Sequence, residues 1–231
     1  MNNVILNKPK VLFFDVNETL LDLTSVKKEI GKALNGKEDL LSLWFTTMLH
    51  YSLVVSASKQ YKPFVNIGAA ALQMVAANNN IKLTKTSALE IVTNAMQHLP
   101  PHPEVKEALV TLKKAGYKLV AFTNSSNKGL KKQFEYAKLT PFFDELLSVE
   151  ESGNFKPFTN TYLWGADKMN EKPEDCMLIA AHGWDVAGAL WAGFRAAFIS
   201  RPGQQLFPLA LETEIVTTDL QKASDILISY T

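Results

Sequence analysis

The strongest constraint on the fold is an alternation of helix-like and strand-like segments running from Pro103 to about residue 200. Residues 104–115 have amphipathic helix spacing and stop at Gly116, and 118–122 read as a strand. The polar loop Thr123-Asn124-Ser125-Ser126-Asn127 enters a helix over 128–137. Residues 143–148 lead into a polar stretch ending at Lys156-Pro157, and a helix is expected around 160–169. A strand over 176–180 follows, His182-Gly183-Trp184-Asp185 opens another helix, and 196–200 forms the next strand. Such β–α alternation predicts a parallel, doubly wound sheet with right-handed crossovers.

One more strand belongs to that sheet. Residues 11–14 form an unbroken apolar run, the pattern of a strand buried on both faces, and Asp15 follows at once. A carboxylate at the carboxyl end of a central strand is costly unless compensated, and ligands bind at that edge of open α/β sheets. Taken alone, Asp15 reads equally well as a turn cap. Between the first strand and Pro103 no strand pattern occurs; helices are expected over 25–34, 38–56, 64–78 and 85–97. Ser25 and Thr84 are the expected N-caps, with 78–80 and 99–101 as breakers. The fold class is therefore α/β, a doubly wound, Rossmann-like core (1–21 and 101–231) carrying an inserted all-helical cap (22–100) over the strand ends. The second cap helix, with Leu40, Leu41, Leu43, Trp44, Phe45, Met48, Leu49 and Tyr51, is apolar on more than one face, as in a sandwiched or cavity-lining helix.

Charge and cysteine usage remove several classes of function. A net charge of +1 over 231 residues gives no basic face for nucleic acid or an anionic membrane, and Lys128, Lys131 and Lys132 read as a solvated helix face. A single cysteine, Cys176, excludes an internal disulfide and a cysteine metal cage and reads as a core thiol. The first seven residues lack a secretory pattern, and no run is expected to span a bilayer, so a soluble cytoplasmic protein is the expectation.

Polar residues then gather at one sheet edge. Asp15, Thr123-Asn124, Lys156 and His182 to Asp185 each follow a strand or sit in the loop after one. Each has a bland reading, as a helix cap, a surface charge or a first-turn dipole partner. Four together at one edge point instead to a site. A lysine beside Asp15 keeps the carboxylate ionised despite burial, and such a carboxylate can attack an electrophile to form an ester.

With Asp15, Thr19, Thr123, Lys156 and Asp185 in these positions, the chain resembles the haloacid dehalogenase superfamily, over nearly its whole length. The strings Phe14-Asp15-x-x-x-Thr19-Leu20, Leu147-Ser148-Val149, Lys156-Pro157 with Tyr162 six residues on, and Trp184-Asp185-x-x-Gly188-Ala189 are closer to its L-2-haloacid dehalogenases than to its phosphatases. The phosphatases of the superfamily use an Asp general acid where this chain has Asn17, and an acidic residue for magnesium where it has Ala181. Asn cannot donate a titrating proton, and losing a hard oxygen ligand weakens a Mg²⁺ site. The expectation is therefore no metal and no cofactor.

Other departures concern the second half of the reaction. Better-known L-2-haloacid dehalogenases carry an Arg after the Trp of the first cap helix to receive halide; here Phe45 follows Trp44. They usually have Gly at the position of Glu18 and Asn at that of His182. The chain thus resembles a minority branch in which a His–Glu pair activates the hydrolytic water. The bland alternative is that His182 only bonds a loop carbonyl; His50, His98 and His102 read as structural or exposed.

The resemblance implies that Asp15 attacks C2 of a short L-2-haloalkanoate, that halide leaves, and that water activated by His182 and Glu18 releases a D-2-hydroxy acid. It implies that Thr123 and the backbone N–H groups of Val16 and Asn17 hold the substrate carboxylate, and that Asn124 meets the halide. Phe45, Leu49, Phe64 and Trp184 would form an apolar wall that excludes water. Lys156 and Asp185 would position Asp15, Tyr162 would assist Lys156 from within the substrate-binding set, and Thr19 would order the loop. A magnesium-dependent phosphatase and a non-catalytic binding protein on the same fold remain the rivals. Related enzymes pair as dimers, for which the apolar cap helices could supply an interface.

Overall fold

The computed structural model describes residues 7–230. Six strands form one sheet: β1 (Val11–Phe14), β2 (Lys118–Thr123), β3 (Glu145–Ser148), β4 (Cys176–Ala180), β5 (Arg195–Ile199) and β6 (Ile215–Thr217). Their order is β3-β2-β1-β4-β5-β6, and every pairing is parallel. The continuous apolar run of β1 is explained by its place in the middle, with Phe14 paired to Ala121 on one side and Ile179 on the other. All four of its residues are buried. Strand order reverses between β1 and β4, so the crevice at their carboxyl ends is the switch point of the sheet. Cys176 is buried in β4, and burial pushes its thiol up to about 12, as suits a core thiol.

Helices α1 (Thr24–Ala33), α2 (Leu41–Ala57), α3 (Phe64–Asn78) and α4 (Lys85–Gln97) follow β1 without an intervening strand. A short 3₁₀ turn, Glu38–Leu40, separates α1 from α2, so the helix expected from residue 38 begins as a tighter coil. The Thr84 hydroxyl caps α4 by accepting the Ser87 N–H at 3.1 Å. Ser25 is not a cap. It lies inside the first turn of α1, and its hydroxyl is buried with no partner among the described residues. Asp22 takes over, accepting from the Thr24 N–H (2.8 Å) and hydroxyl (2.6 Å), because the chain bends one residue earlier than the sequence suggests. The cap packs tightly where α2 meets α3: Trp44 Nε1 donates to the Gly68 carbonyl at 2.8 Å, and a Cβ on Gly68 would sit 2.8 Å from Met48 Sδ.

The segment Glu38–Ala57 is long and apolar enough to cross a membrane, which corrects the expectation that no run reaches that length. No Lys, Arg, Asp or Glu interrupts residues 41–57. In the fold this helix buries Trp44, Met48, Ser52 and Ser56 inward and exposes Leu43, Tyr51, Leu53 and Val54. The two chain crossings between sheet and helical block run side by side, with Asp22 N–H on Pro100 O (2.8 Å) and His102 N–H on Leu20 O (3.0 Å).

The remaining helices flank the sheet: α5 (Val105–Lys114), α6 (Asn127–Ala137), α7 (Thr159–Lys168), α8 (Gly183–Trp191) and α9 (Leu220–Leu227). Strand β6 and helix α9 lie beyond the elements expected from sequence. Asp219 caps α9 by accepting the Lys222 N–H at 2.9 Å.

Candidate active site

Asp15 leaves β1 beside β4, and its carboxylate, nearly enclosed, receives three side chains. Lys156 Nζ donates to Oδ1 at 2.9 Å, and Thr19 Oγ1 donates to Oδ2 at 2.7 Å. His182 Nδ1 meets the same Oδ2 at 3.2 Å. The Thr19 hydroxyl also accepts the Ala181 N–H at 2.9 Å, which ties the nucleophile loop to the end of β4. Burial works against a charge on Asp15, but the Lys156 ammonium, then His182 and Thr19, outweigh it and hold the carboxyl well below the usual range.

Lys156 has no exposed side-chain surface, and its ammonium is fully used. It donates to Asp15, to the Phe122 carbonyl (3.0 Å) and to Asp185 Oδ2 (2.5 Å). Burial would lower its pKa, but the two carboxylates outweigh burial and raise it. Burial and the neighbouring Asp15 charge outweigh the Lys156 ammonium at Asp185, and its carboxyl is raised. Tyr162 donates to Asp185 Oδ1 at 2.6 Å and is fully buried, so its place among substrate-binding residues is corrected: it steadies Asp185, and through it Lys156. Gly188 makes room for this stack, since a Cβ there would lie 2.7 Å from the Tyr162 hydroxyl.

His182 is held at both nitrogens. Nε2 meets Glu18 Oε2 at 2.9 Å while Nδ1 meets Asp15, so the bland reading as a partner of a loop carbonyl is set aside. With a carboxylate oxygen at each nitrogen, both must carry hydrogen, because a neutral ring would turn one lone pair against another. Burial disfavours that imidazolium, but the bonds to Asp15 and Glu18 outweigh it and raise its pKa to about 9. Glu18 reaches the ring from a left-handed backbone conformation (φ 67°) that disfavours side chains with a Cβ. His102 Nε2 lies 2.9 Å from the Glu18 carbonyl and braces this turn, a structural role as expected.

Phe45 and Trp184 sandwich the imidazole, with centroids 5.9 Å and 5.3 Å from it and planes tilted by 19° and 25°. Aromatic faces favour a cation between them, so the position where the better-known relatives carry an arginine here supports a charged histidine. The expected apolar wall is divided. Leu49 and Trp184 line a cavity of about 290 Å³ that reaches Lys156, whereas Phe64 lines another, of about 260 Å³, with Met48, Met96 and Ser125.

The remaining candidates differ from expectation in what their side chains do. Asn124 clasps the Lys156 backbone, its Oδ1 accepting the N–H at 2.9 Å and its Nδ2 reaching the carbonyl at 3.4 Å, a role in holding the lysine loop beyond the one the resemblance implied. Thr123 is fully buried, and its Oγ1 accepts the Ser125 N–H at 3.1 Å, which shapes the loop. Asn17 is locked by Gln133 Nε2 (2.8 Å) and Ser125 Oγ (3.3 Å). The backbone N–H groups of Val16 and Asn17 meet no acceptor among the described residues, as an anion-receiving pair requires.

A divalent cation fits these residues poorly. The superfamily's magnesium position would draw on an acidic residue at 181, where this chain has alanine, and the Asn17 side chain at the general-acid position is engaged twice. Asp15 itself faces an ammonium on one oxygen and an imidazolium on the other. The donor set suits an isolated, ionised carboxylate.

Sequence reasoning missed Gln133, Ser125 and Gln204. Gln204 Nε2 donates to Glu18 Oε2 at 3.1 Å from the loop after β5, so applying the strand-end rule once more would have found it.

Known proteins similar to this chain include dehalogenases. An (S)-2-haloacid dehalogenase of Pseudomonas putida is 27% identical over 218 residues, 94% of this chain and 97% of that one. A haloacetate dehalogenase of Moraxella is 28% identical over 199 residues, 86% and 88% of the two chains. The solved L-2-haloacid dehalogenase of Xanthobacter autotrophicus with chloropropionic acid covalently bound superposes with a TM-score of 0.87, at 22% identity, over 94% of this chain and 98% of that one. Residues 9–193, which carry Asp15, Lys156, His182 and Asp185 together, match the haloacid dehalogenase-like hydrolases, and to that family the chain belongs.

Proposed function

We propose that the protein hydrolyses short L-2-haloalkanoic acids to D-2-hydroxy acids through an ester on Asp15. The observation that carries this reading is the bridging of Asp15 and Glu18 by His182, with Lys156 on the opposite oxygen of Asp15. The dehalogenase names of the relatives support the substrate class.

Of the two carboxylate oxygens, Oδ2 has both lone pairs engaged by Thr19 and His182, while Oδ1 receives only Lys156 among the described residues. Oδ1 is therefore the attacking atom. It forms a bond to C2 in line with the departing halide, which inverts the carbon and carries away the electron pair of the broken bond. The unoccupied N–H groups of Val16 and Asn17 receive the substrate carboxylate. The aromatic pair stacks on the ring and leaves Nδ1 facing Asp15.

Esterification removes the Asp15 charge that faced Nδ1, so the imidazolium loses one of its two anionic partners and releases that proton to solvent. Glu18 keeps Nε2 protonated, which leaves Nδ1 as the basic nitrogen. Water gives a proton to Nδ1 and adds to the ester carbonyl, whose oxygen is Oδ2, steadied by Thr19. Collapse breaks the bond to Oδ1, and the leaving alkoxide takes the second water proton. Asp15 returns as carboxylate and His182 as imidazolium. One haloacid and one water thus yield hydroxy acid, halide and one proton. Lys156, Asp185 and Tyr162 hold Asp15 throughout.

The proposal extends to a homodimer, supported by the exposed apolar residues Leu43, Tyr51, Leu53 and Val54 of α2. Halide release from L-2-chloropropionate, measured with and without EDTA, tests the function. Release unaffected by EDTA is the expected result. No release, together with EDTA-sensitive hydrolysis of an aryl phosphate, would assign the site to phosphoryl transfer.

A further inference from the structure

We propose that Gln204 is a positioning residue for Glu18, and that the strap 201–208 which carries it governs the ester-hydrolysing stage. The inference rests on the dehalogenase reading of the site only for its kinetic consequence.

Three contacts seat the strap against the site. Arg201 Nη2 donates to the Thr19 carbonyl (2.9 Å) and to Glu104 Oε1 (2.7 Å), which anchors its start to the nucleophile loop. The Gln204 N–H closes a turn onto the Arg201 carbonyl at 3.0 Å, and its side chain then reaches Glu18. On the far side the strap lies directly on the first residue of α8. A Cβ on Gly183 would come within 2.2 Å of the Gln205 carbonyl oxygen, so only glycine lets the strap approach this closely.

The atom that Gln204 touches decides its role. Glu18 Oε2 receives both Gln204 Nε2 and His182 Nε2, so one carboxylate oxygen is fixed from two directions. A glutamate side chain has three rotatable bonds, and a single bond to the ring leaves it free to swing toward solvent. The second donor removes that freedom. Its neutrality also matters, because an ammonium in the same place would draw the Glu18 charge away from the imidazole. Gln204 touches neither Asp15 nor Lys156, so it acts only through Glu18 and bears on the water-activating stage.

Two measurements on the full-length chain test this. Before any substrate is added, proton NMR of the wild type is expected to show a downfield His182 Nε2–H resonance that Glu18→Ala abolishes. Gln204→Leu should broaden it, since Glu18 is no longer fixed; a sharp, unmoved resonance in Gln204→Leu would overturn the proposal. Rapid mixing with L-2-chloropropionate then separates the stages. Gln204→Leu should keep the rate and amplitude of the first equivalent of halide within about twofold and lower the steady-state rate about tenfold, the loss of one hydrogen bond to a charged group. A steady-state rate equal to wild type, or a first equivalent slowed in the same proportion, would each contradict it. A wild type that releases no halide but gives the expected NMR result removes the dehalogenase reading and leaves the positioning role of Gln204 standing.

Discussion

His182→Ala releases one equivalent of halide per active site and then stalls. The substitution leaves Asp15, Lys156 and Asp185 in contact, so ester formation proceeds, while no group remains to take a proton from water. A general base is worth about 10²–10⁴-fold, and the steady-state rate should fall by that range. Protons give a second readout. The wild type, with both imidazole nitrogens protonated at rest, should release one proton in step with the first equivalent of halide, as a pH indicator would record. His182→Ala should release that halide without the proton. The wild-type proton release should disappear above about pH 9, where the resting ring is already neutral. Stability follows the same group. Its pKa is raised in the folded state, so its contribution is fully present below about pH 6.5, the value in the unfolded chain, and is lost as pH rises through about 9. An undiminished multiple-turnover rate in His182→Ala would remove the ring from the hydrolytic step.

Lys156→Met should damage both fold and reaction. It leaves Asp15 and Asp185 buried without their shared cation, and breaking such a buried pair costs about 3–5 kcal/mol. The deficit depends on pH with a definite sign. In the wild type the depressed pKa of Asp15 makes stability fall as pH drops below the ordinary carboxylate range. In the variant Asp185, left without its cation, binds protons more tightly when folded than when unfolded, so its contribution to stability falls as pH rises, while Asp15 keeps the His182 imidazolium. Urea unfolding should therefore show a larger gap between the two proteins at pH 8 than at pH 5. Halide release at pH 8 should drop by about 10²–10³-fold, the usual effect of removing one preorganised electrostatic partner. Equal stability at pH 8 would mean that the lysine does not offset the two carboxylates.

Sequence made the scaffold of this site legible because strand ends are set by local patterns. The apolar run of β1, the breaks at Gly116 and residues 99–101, and the Thr84 cap depend on neighbours in sequence, and they fell where expected. The pairing of Glu18 with His182 was legible through two unusual residues at positions flanking one carboxylate. What was hidden is how polar head groups choose among partners brought together by folding. Asn124 and Thr123 stand in the expected loop, yet they bind the Lys156 backbone and the Ser125 N–H. Tyr162 lies in a helix on the sheet face, and nothing local tells that it reaches Asp185. Gln133 sits within α6 without any motif, yet its Nε2 donates to both Asn17 Oδ1 and the Met96 carbonyl, each at 2.8 Å. Strand β6 has three residues, too few for a period to declare itself.

One turnover in heavy-oxygen water tests the nucleophile itself. With enzyme in excess over L-2-chloropropionate, mass spectrometry of the peptide carrying Asp15 should show one solvent oxygen gained, while the hydroxy acid carries the oxygen formerly at Oδ1. Label in the hydroxy acid with none in Asp15 would mean that water attacks C2 directly, and that no ester forms.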